Sequence, residues 1–171
     1  HMSADVRNML EVRKMIKNDL APDSYRDGSV KQDITLNDMI CWCVIKALKK
    51  FPEANSHFLD DRIKTFKKVH LGIAVDTPRG LMVPAIKNAD DMNLVKLSKE
   101  LKSVAEACRK GNINPELLQS NAASFTVSNL GAYGVEIFTP VINLPQAAIL
   151  GVCTILYRPA DLGNGVFGFI P

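Results

Sequence analysis

Hydroxyl side chains occupy every second position of Ser124-Phe125-Thr126-Val127-Ser128, and the segment runs directly into Asn129-Leu130-Gly131-Ala132-Tyr133-Gly134. The alternation predicts a half-buried strand with Phe125 and Val127 on one side and Ser124, Thr126 and Ser128 on the other. The two glycines end it in a tight turn, because they accept backbone angles that other residues resist. Such a strand could present Ser128 to a reacting carbonyl. It could equally be an ordinary strand whose Ser and Thr residues face water. Asp76, in Asp76-Thr77-Pro78-Arg79-Gly80, opens a turn between two apolar runs. An aspartate there can cap its own backbone.

Other residue types offer less chemistry. Cys41, Cys43, Cys108 and Cys153 all sit among apolar neighbours, and buried free thiols are expected. Cys41 and Cys43 lie two apart in a helical pattern, so their sulfurs point about 200° apart and cannot share one ion. No metal site is expected. His1-Met2 is read as a cloning remnant and excluded from any chemistry.

With 171 residues, 47% hydrophobic and 23% charged, the chain has a globular composition and enough length for one domain with a real core. The net charge of +3, scattered along helices, gives no reason to expect nucleic acid. No apolar run reaches the roughly 18 residues that span a bilayer, and no secretory pattern opens the sequence. No membrane partner is expected, and the expected location is the cytoplasm, or the mitochondrial matrix in a eukaryote.

The elements that must position Ser128 follow from periodicity. Val6, Met9, Leu10, Arg13, Ile16 and Leu20 predict an amphipathic helix over 5–20, stopped by Ala21-Pro22-Asp23 and followed by a polar loop over 24–33. Thr35-Leu36-Asn37-Asp38 predicts a capping box at the head of a second helix that Pro52 closes. A short strand pair is expected within 55–68, then strands over 70–75 and 81–86. Pro84 marks an edge or a bulge in the latter. Leu94, Leu97, Leu101, Val104 and Cys108 predict a third helix ended by Gly111, and Asn114-Pro115-Glu116 a short fourth. The apolar run 147–156 reads as a central strand, and Gly163-Asn164-Gly165 as a turn before a last strand. Together these elements make a two-layer α+β domain.

Three segments in order, Lys50 to Phe58 (KFPEANSHF), Gly72 to Asp90 (GIAVDTPRGLMVPAIKNAD) and Ser124 to Val152, resemble the catalytic domain of the dihydrolipoyl acyltransferases of 2-oxo acid dehydrogenase complexes. The resemblance runs over nearly the whole chain. It implies a chloramphenicol-acetyltransferase-like fold, a two-layer sandwich of a mixed sheet with helices on one face. Residues 3–171 then form a single catalytic domain, truncated at both ends. It also implies homotrimers with active sites at the subunit boundaries, in some relatives built into a larger cage, and contact with lipoyl domains and other subunits of the complex. The implied reaction moves an acyl group between dihydrolipoamide, carried on a separate domain, and coenzyme A. Ser128 falls where the family places the hydroxyl that stabilises the tetrahedral intermediate, and Asp76 and Asn129 where it borders coenzyme A.

The family's base lies in a His-x-x-x-Asp-Gly motif near its C-terminus, and this sequence ends at Pro171 before such a motif. His57 does give His-x-x-x-Asp, but Arg62 replaces the glycine, and His57 and His70 are expected to be structural or surface residues. The chain alone is therefore expected to be inactive. It is either a fragment of a working acyltransferase or an inactive, core-forming assembly subunit. The match from Ala132 to Val152 counts against a free-standing small-molecule acetyltransferase of the same fold.

Overall fold

The computed structural model describes residues 1–19 and 33–171. The chain-stop at Ala21-Pro22-Asp23 and most of the polar loop expected after it lie outside the described residues. Among the described residues, three α-helices, α1 (Arg7–Asp19), α2 (Leu36–Lys50) and α3 (Leu94–Lys110), combine with ten short strands. Four of these form the central sheet in the order β6 (Ala85–Ile86), β3 (Leu71–Ile73), β7 (Phe125–Asn129), β8 (Ile149–Val152). β6 runs antiparallel to β3, whereas β3, β7 and β8 are mutually parallel, so the sheet is mixed.

Helix boundaries follow local chemistry. At the head of α2, the Asp38 amide donates to Thr35 Oγ1 (3.2 Å) and the Thr35 amide donates to Asp38 Oδ2 (2.8 Å), completing the capping box. Asp38 is buried, and Ser98 Oγ on α3 donates to the same carboxylate oxygen at 2.8 Å, so the cap also ties the two helices together. α3 starts on the Asn93 side chain and ends at Gly111, whose φ of 76° is the left-handed conformation that glycine adopts without strain.

Both helices cover one face of the sheet. Cys41, Ile45 and Leu48 of α2 and Leu97, Leu101 and Val104 of α3 share a core with Leu71 and Ile73 of β3 and Phe125 and Val127 of β7. Burial of this apolar area, at roughly 25 cal/mol per Å2, is the main force holding the layers together. On the opposite face, Gly72 lets β7 approach: a Cβ there would lie 2.7 Å from Thr126 Oγ1 and 3.0 Å from Ala123 Cβ.

Three hairpins surround the sheet: β1 (Ser56–Leu59) with β2 (Arg62–Thr65), β4 (Val75–Thr77) with β5 (Gly80–Met82), and β9 (Arg158–Asp161) with β10 (Phe167–Ile170). The strands expected over 70–75 and 81–86 are each interrupted, at Ala74 and at Val83-Pro84, so their outer halves leave the sheet as the β4–β5 hairpin. Pro84 lacks an N–H but still accepts from the Ile73 amide at 3.1 Å, and β6 after it is an edge strand. The run 147–156 differs more from expectation. Only Ile149–Val152 is strand, half-buried and at the opposite edge of the sheet. An apolar run reports burial but cannot count neighbours.

The cysteines also divide. Cys41 and Cys108 are buried, Cys153 is half-buried and Cys43 is exposed. The helical angle that keeps Cys41 and Cys43 apart puts only one of them in the core. Burial, with a smaller contribution from Asp38, pushes the Cys41 thiol up to about 12.

Candidate functional site

The hydroxyls of Ser124, just before β7, and of Thr126 and Ser128 within it meet three different environments. Ser124 is fully buried; its Oγ donates to Asn55 Oδ1 at 2.6 Å and accepts from the His70 amide at 2.9 Å. Thr126, also fully buried, donates to Gln146 Oε1 at 2.7 Å. Gln146 arrives on the segment Asn143-Leu144-Pro145-Gln146, which contains a cis Leu144–Pro145 bond. Neither residue faces water, as an ordinary surface strand would require. Ser128 is half-buried, and its hydroxyl makes no hydrogen bond to any described residue. Of the three, Ser128 alone keeps its donor for something that is not this protomer's own framework.

Its surroundings are set by register. Ser128 pairs with Gly151 of β8, so the two share a sheet face. A Cβ at Gly151 would sit 3.0 Å from the Phe138 ring and 3.1 Å from Pro140, which pack on that face beside the serine.

Asn129, the next residue, pairs with Val152 and belongs to the other face. Its Oδ1 accepts from the Gly131 amide (2.9 Å), and its Nδ2 donates to Asn37 Oδ1 on the first turn of α2 (2.9 Å). Ser128 and Asn129 are adjacent in sequence but look in opposite directions.

Asp76 is exposed on β4, between the buried Val75 and Thr77. Thr77 performs the capping that an aspartate could have done: its Oγ1 donates to the Gly80 carbonyl (2.7 Å) and accepts from the Arg79 amide (3.2 Å). The Asp76 carboxylate makes no hydrogen bond or ion pair with any described residue. Because β3 and β7 are parallel, Asp76, beyond the end of β3, and Ser128, near the end of β7, lie toward the same C-terminal end of these strands. Arg79 lies over the end of α3, its guanidinium crowding the space where a Gly111 side chain would stand.

Both internal histidines serve the framework. The His57 ring is buried, lies edge-on to Phe66, and its Nε2 donates to the Ala123 carbonyl at 2.8 Å. That contact lies five residues, roughly 16 Å of strand, from Ser128. His70 Nδ1 accepts from the Asn88 amide at 3.1 Å, which fixes its proton on Nε2. No cluster of three or more His, Cys, Asp or Glu side chains could hold a metal ion among the described residues, and no described helix is long and apolar enough to cross a membrane.

The strand pattern singled out Ser128, and the family resemblance added Asp76 and Asn129, but neither gave a site role to Gln146, Asn143 or Asn37, whose importance comes from contacts with β7. A mixed sheet with helices on one face defines an α+β sandwich domain, and among its described residues Ser128 keeps a free hydroxyl where the parallel strands end. The chain matches the family described as 2-oxoacid dehydrogenases acyltransferase (catalytic domain) over residues 1–167, and it belongs to that family. It is 38% identical over 151 residues to the dihydrolipoyllysine-residue acetyltransferase component of the pyruvate dehydrogenase complex of Rickettsia bellii, covering 88% of this chain and 34% of the relative. The corresponding component of the acetoin cleaving system of Bacillus subtilis is 34% identical over 165 residues, covering 96% of this chain and 39% of that protein. Among solved structures, the dihydrolipoamide acetyltransferase of Azotobacter vinelandii superposes with a TM-score of 0.86 at 33% identity, over 99% of this chain and 66% of that one. A serine, a histidine and an asparagine of that enzyme have been investigated for their part in its catalytic mechanism. The cubic core of a pyruvate dehydrogenase multienzyme complex superposes with a TM-score of 0.85, also at 33% identity, over 99% of this chain and 66% of that one. The chain thus spans about a third of the length of these curated relatives.

Proposed function

We propose that this domain belongs to a coenzyme A-dependent acyltransferase that moves an acyl group between dihydrolipoamide and coenzyme A within a 2-oxo acid dehydrogenase complex. The observation that carries the reading is the Ser128 hydroxyl, which bonds no described residue while the alternating hydroxyls of Ser124 and Thr126 before it are both consumed by the framework. Attack of a thiol sulfur on a thioester carbonyl gathers negative charge on the carbonyl oxygen. Ser128 Oγ–H donates to that oxygen, and no internal bond has to break first. Asp76, exposed and unpaired at the same end of the sheet, borders the coenzyme A site.

A base must take the thiol proton. His57 and His70 already hold framework bonds. Neither histidine is therefore free to serve as that base, and this polypeptide by itself is expected to transfer acyl groups at a negligible rate. A site shared between protomers accords with the apolar side chains left exposed on one subunit, among them Val141, Leu144, Phe167 and Phe169. The assembly is a homotrimer, or a cage built from trimers, and lipoyl domains deliver the acyl group. Sedimentation of the domain is expected to give a trimer or a multiple of three; a monomer at micromolar concentration would remove the shared-site reading.

The decisive assay follows acetyl transfer from acetyl-coenzyme A to dihydrolipoamide by the full-length enzyme and its Ser128→Ala variant. Turnover is expected to collapse while both substrates still bind. A variant with normal turnover takes Ser128 out of the mechanism, and robust transfer by this chain alone would show that a base lies within it.

A further inference from the structure

Ser128 has no side-chain bond of its own to aim it, so the direction of its hydroxyl depends on the backbone that carries it. That backbone is held from three sides. The Leu130 amide donates to the Val152 carbonyl (2.9 Å), extending the pairing of β7 with β8 past the last strand residue. Gly131 passes so close to the chain beyond β8 that a Cβ there would fall 2.8 Å from the Cys153 carbonyl oxygen. On the remaining side stands Asn129, whose amide bonds the Gly131 N–H with its oxygen and Asn37 of α2 with its nitrogen.

The orientation of this amide is assigned by its partners. The Gly131 N–H can only donate, so Asn129 must turn its oxygen there and its NH2 toward α2. Position 37 must then offer an acceptor, and Asn37 Oδ1 does. α2 is a firm anchor, with a completed capping box at its head and Cys41, Ile45 and Leu48 in the core. A two-sided clamp therefore joins the turn after Ser128 to a rigid helix.

We infer that Asn129 is a positioning residue: through Gly131 and Asn37 it fixes the turn that aims Ser128 at the oxyanion, and it acts from the face opposite the reacting atoms. This rests on the reading of Ser128 as the donor. It gives Asn129 a different role from contact with coenzyme A, because both polar ends of its side chain are already engaged within the protomer.

The full-length enzyme tests this with Asn and Asp exchanged at positions 37 and 129. Asn37→Asp keeps an acceptor for Asn129 and is expected to stay within about twofold of the parent in kcat. Asn129→Asp keeps the acceptor for Gly131 while Asn37 turns its amide to donate, and should stay within about threefold. The double variant sets two carboxylates against each other and should lose at least about tenfold in kcat, with KM for both substrates within about twofold. Asn129→Ala should show the same split. Should it not fold, Asn129→Ser, which can still accept from Gly131 but cannot reach Asn37, carries the same expectation at smaller size.

Unchanged kcat in the double variant and in Asn129→Ala or Asn129→Ser overturns the inference. So does a raised KM for coenzyme A at constant kcat, which would make Asn129 a contact of that substrate. Ser128→Ala is run alongside: if it too keeps full turnover, the reading of Ser128 has failed, whereas its collapse with unaffected Asn129 variants fells the clamp alone. Amide exchange at Leu130 and Gly131, expected to accelerate at least about tenfold in Asn129→Ala or Asn129→Ser, reads the clamp without any activity, and unchanged exchange overturns it.

Discussion

Ser124, Thr126 and Ser128 have similar chemistry and unlike fates. Ser124 and Thr126 satisfy buried groups on other segments, so deleting either hydroxyl would leave a buried polar atom without its partner, at a cost of about 1–3 kcal/mol. Ser128 satisfies no group among the described residues. Ser128→Ala should therefore leave the unfolding midpoint unchanged while lowering kcat by about a hundredfold or more, which matches the roughly 2.7–4 kcal/mol that one oxyanion donor supplies. Parallel denaturation and steady-state kinetics check this, and a loss of stability equal to the loss of rate would mark the serine as framework. The three side chains were legible in the sequence as a set. Which one is free was not, because the partners of the other two stand 69 and 20 residues away.

At the scale of elements, the site depends on how closely β3 and β7 pair. Gly72 sits opposite Thr126 in the parallel register, and the Thr126 hydroxyl occupies the space a side chain would need. Gly72→Ala should push Thr126 off Gln146 and cost about 1–3 kcal/mol, read as a lower denaturation midpoint. Because Ser128 lies two residues further along β7, turnover should fall with it; an unchanged midpoint would mean the strands have slack that the structure does not show. Periodicity located α2 and α3, and the Thr35–Asp38 box and Gly111 marked their ends, because those signals are local. The breaks at Ala74 and Val83-Pro84 and the edge position of β8 depend on which strands come alongside, and no local pattern reports that.

At the scale of the whole domain, His70 makes stability depend on pH. Burial first, then the Lys87 ammonium, with a smaller push from His57, hold its imidazole below the usual 6.5, and Asp90 only partly opposes them. Protonation of Nδ1 would also take away the acceptor for the Asn88 amide. A folded value below the unfolded one means that the unfolded chain binds the proton more readily. His70 therefore contributes its full share above about pH 6.5, and that share is lost as pH falls through the folded value. Urea unfolding between pH 7.5 and 5.5 should show the decline, and His70→Gln should flatten it; equal slopes in the two proteins would assign it to other groups.

The sequence by itself determined the α+β class, the helices and their caps, the alternating strand and the acyltransferase resemblance, because each is written in neighbouring residues or in a fixed order of short motifs. Only the tertiary structure decided that Ser128 is unbonded, that Asn129 reaches Asn37 across 92 positions, and that Thr77 caps the turn and leaves Asp76 free. The physical reason is that a hydrogen bond consumes a donor wherever in the chain its acceptor lies. Which polar groups remain for a substrate is settled only when all the segments have packed.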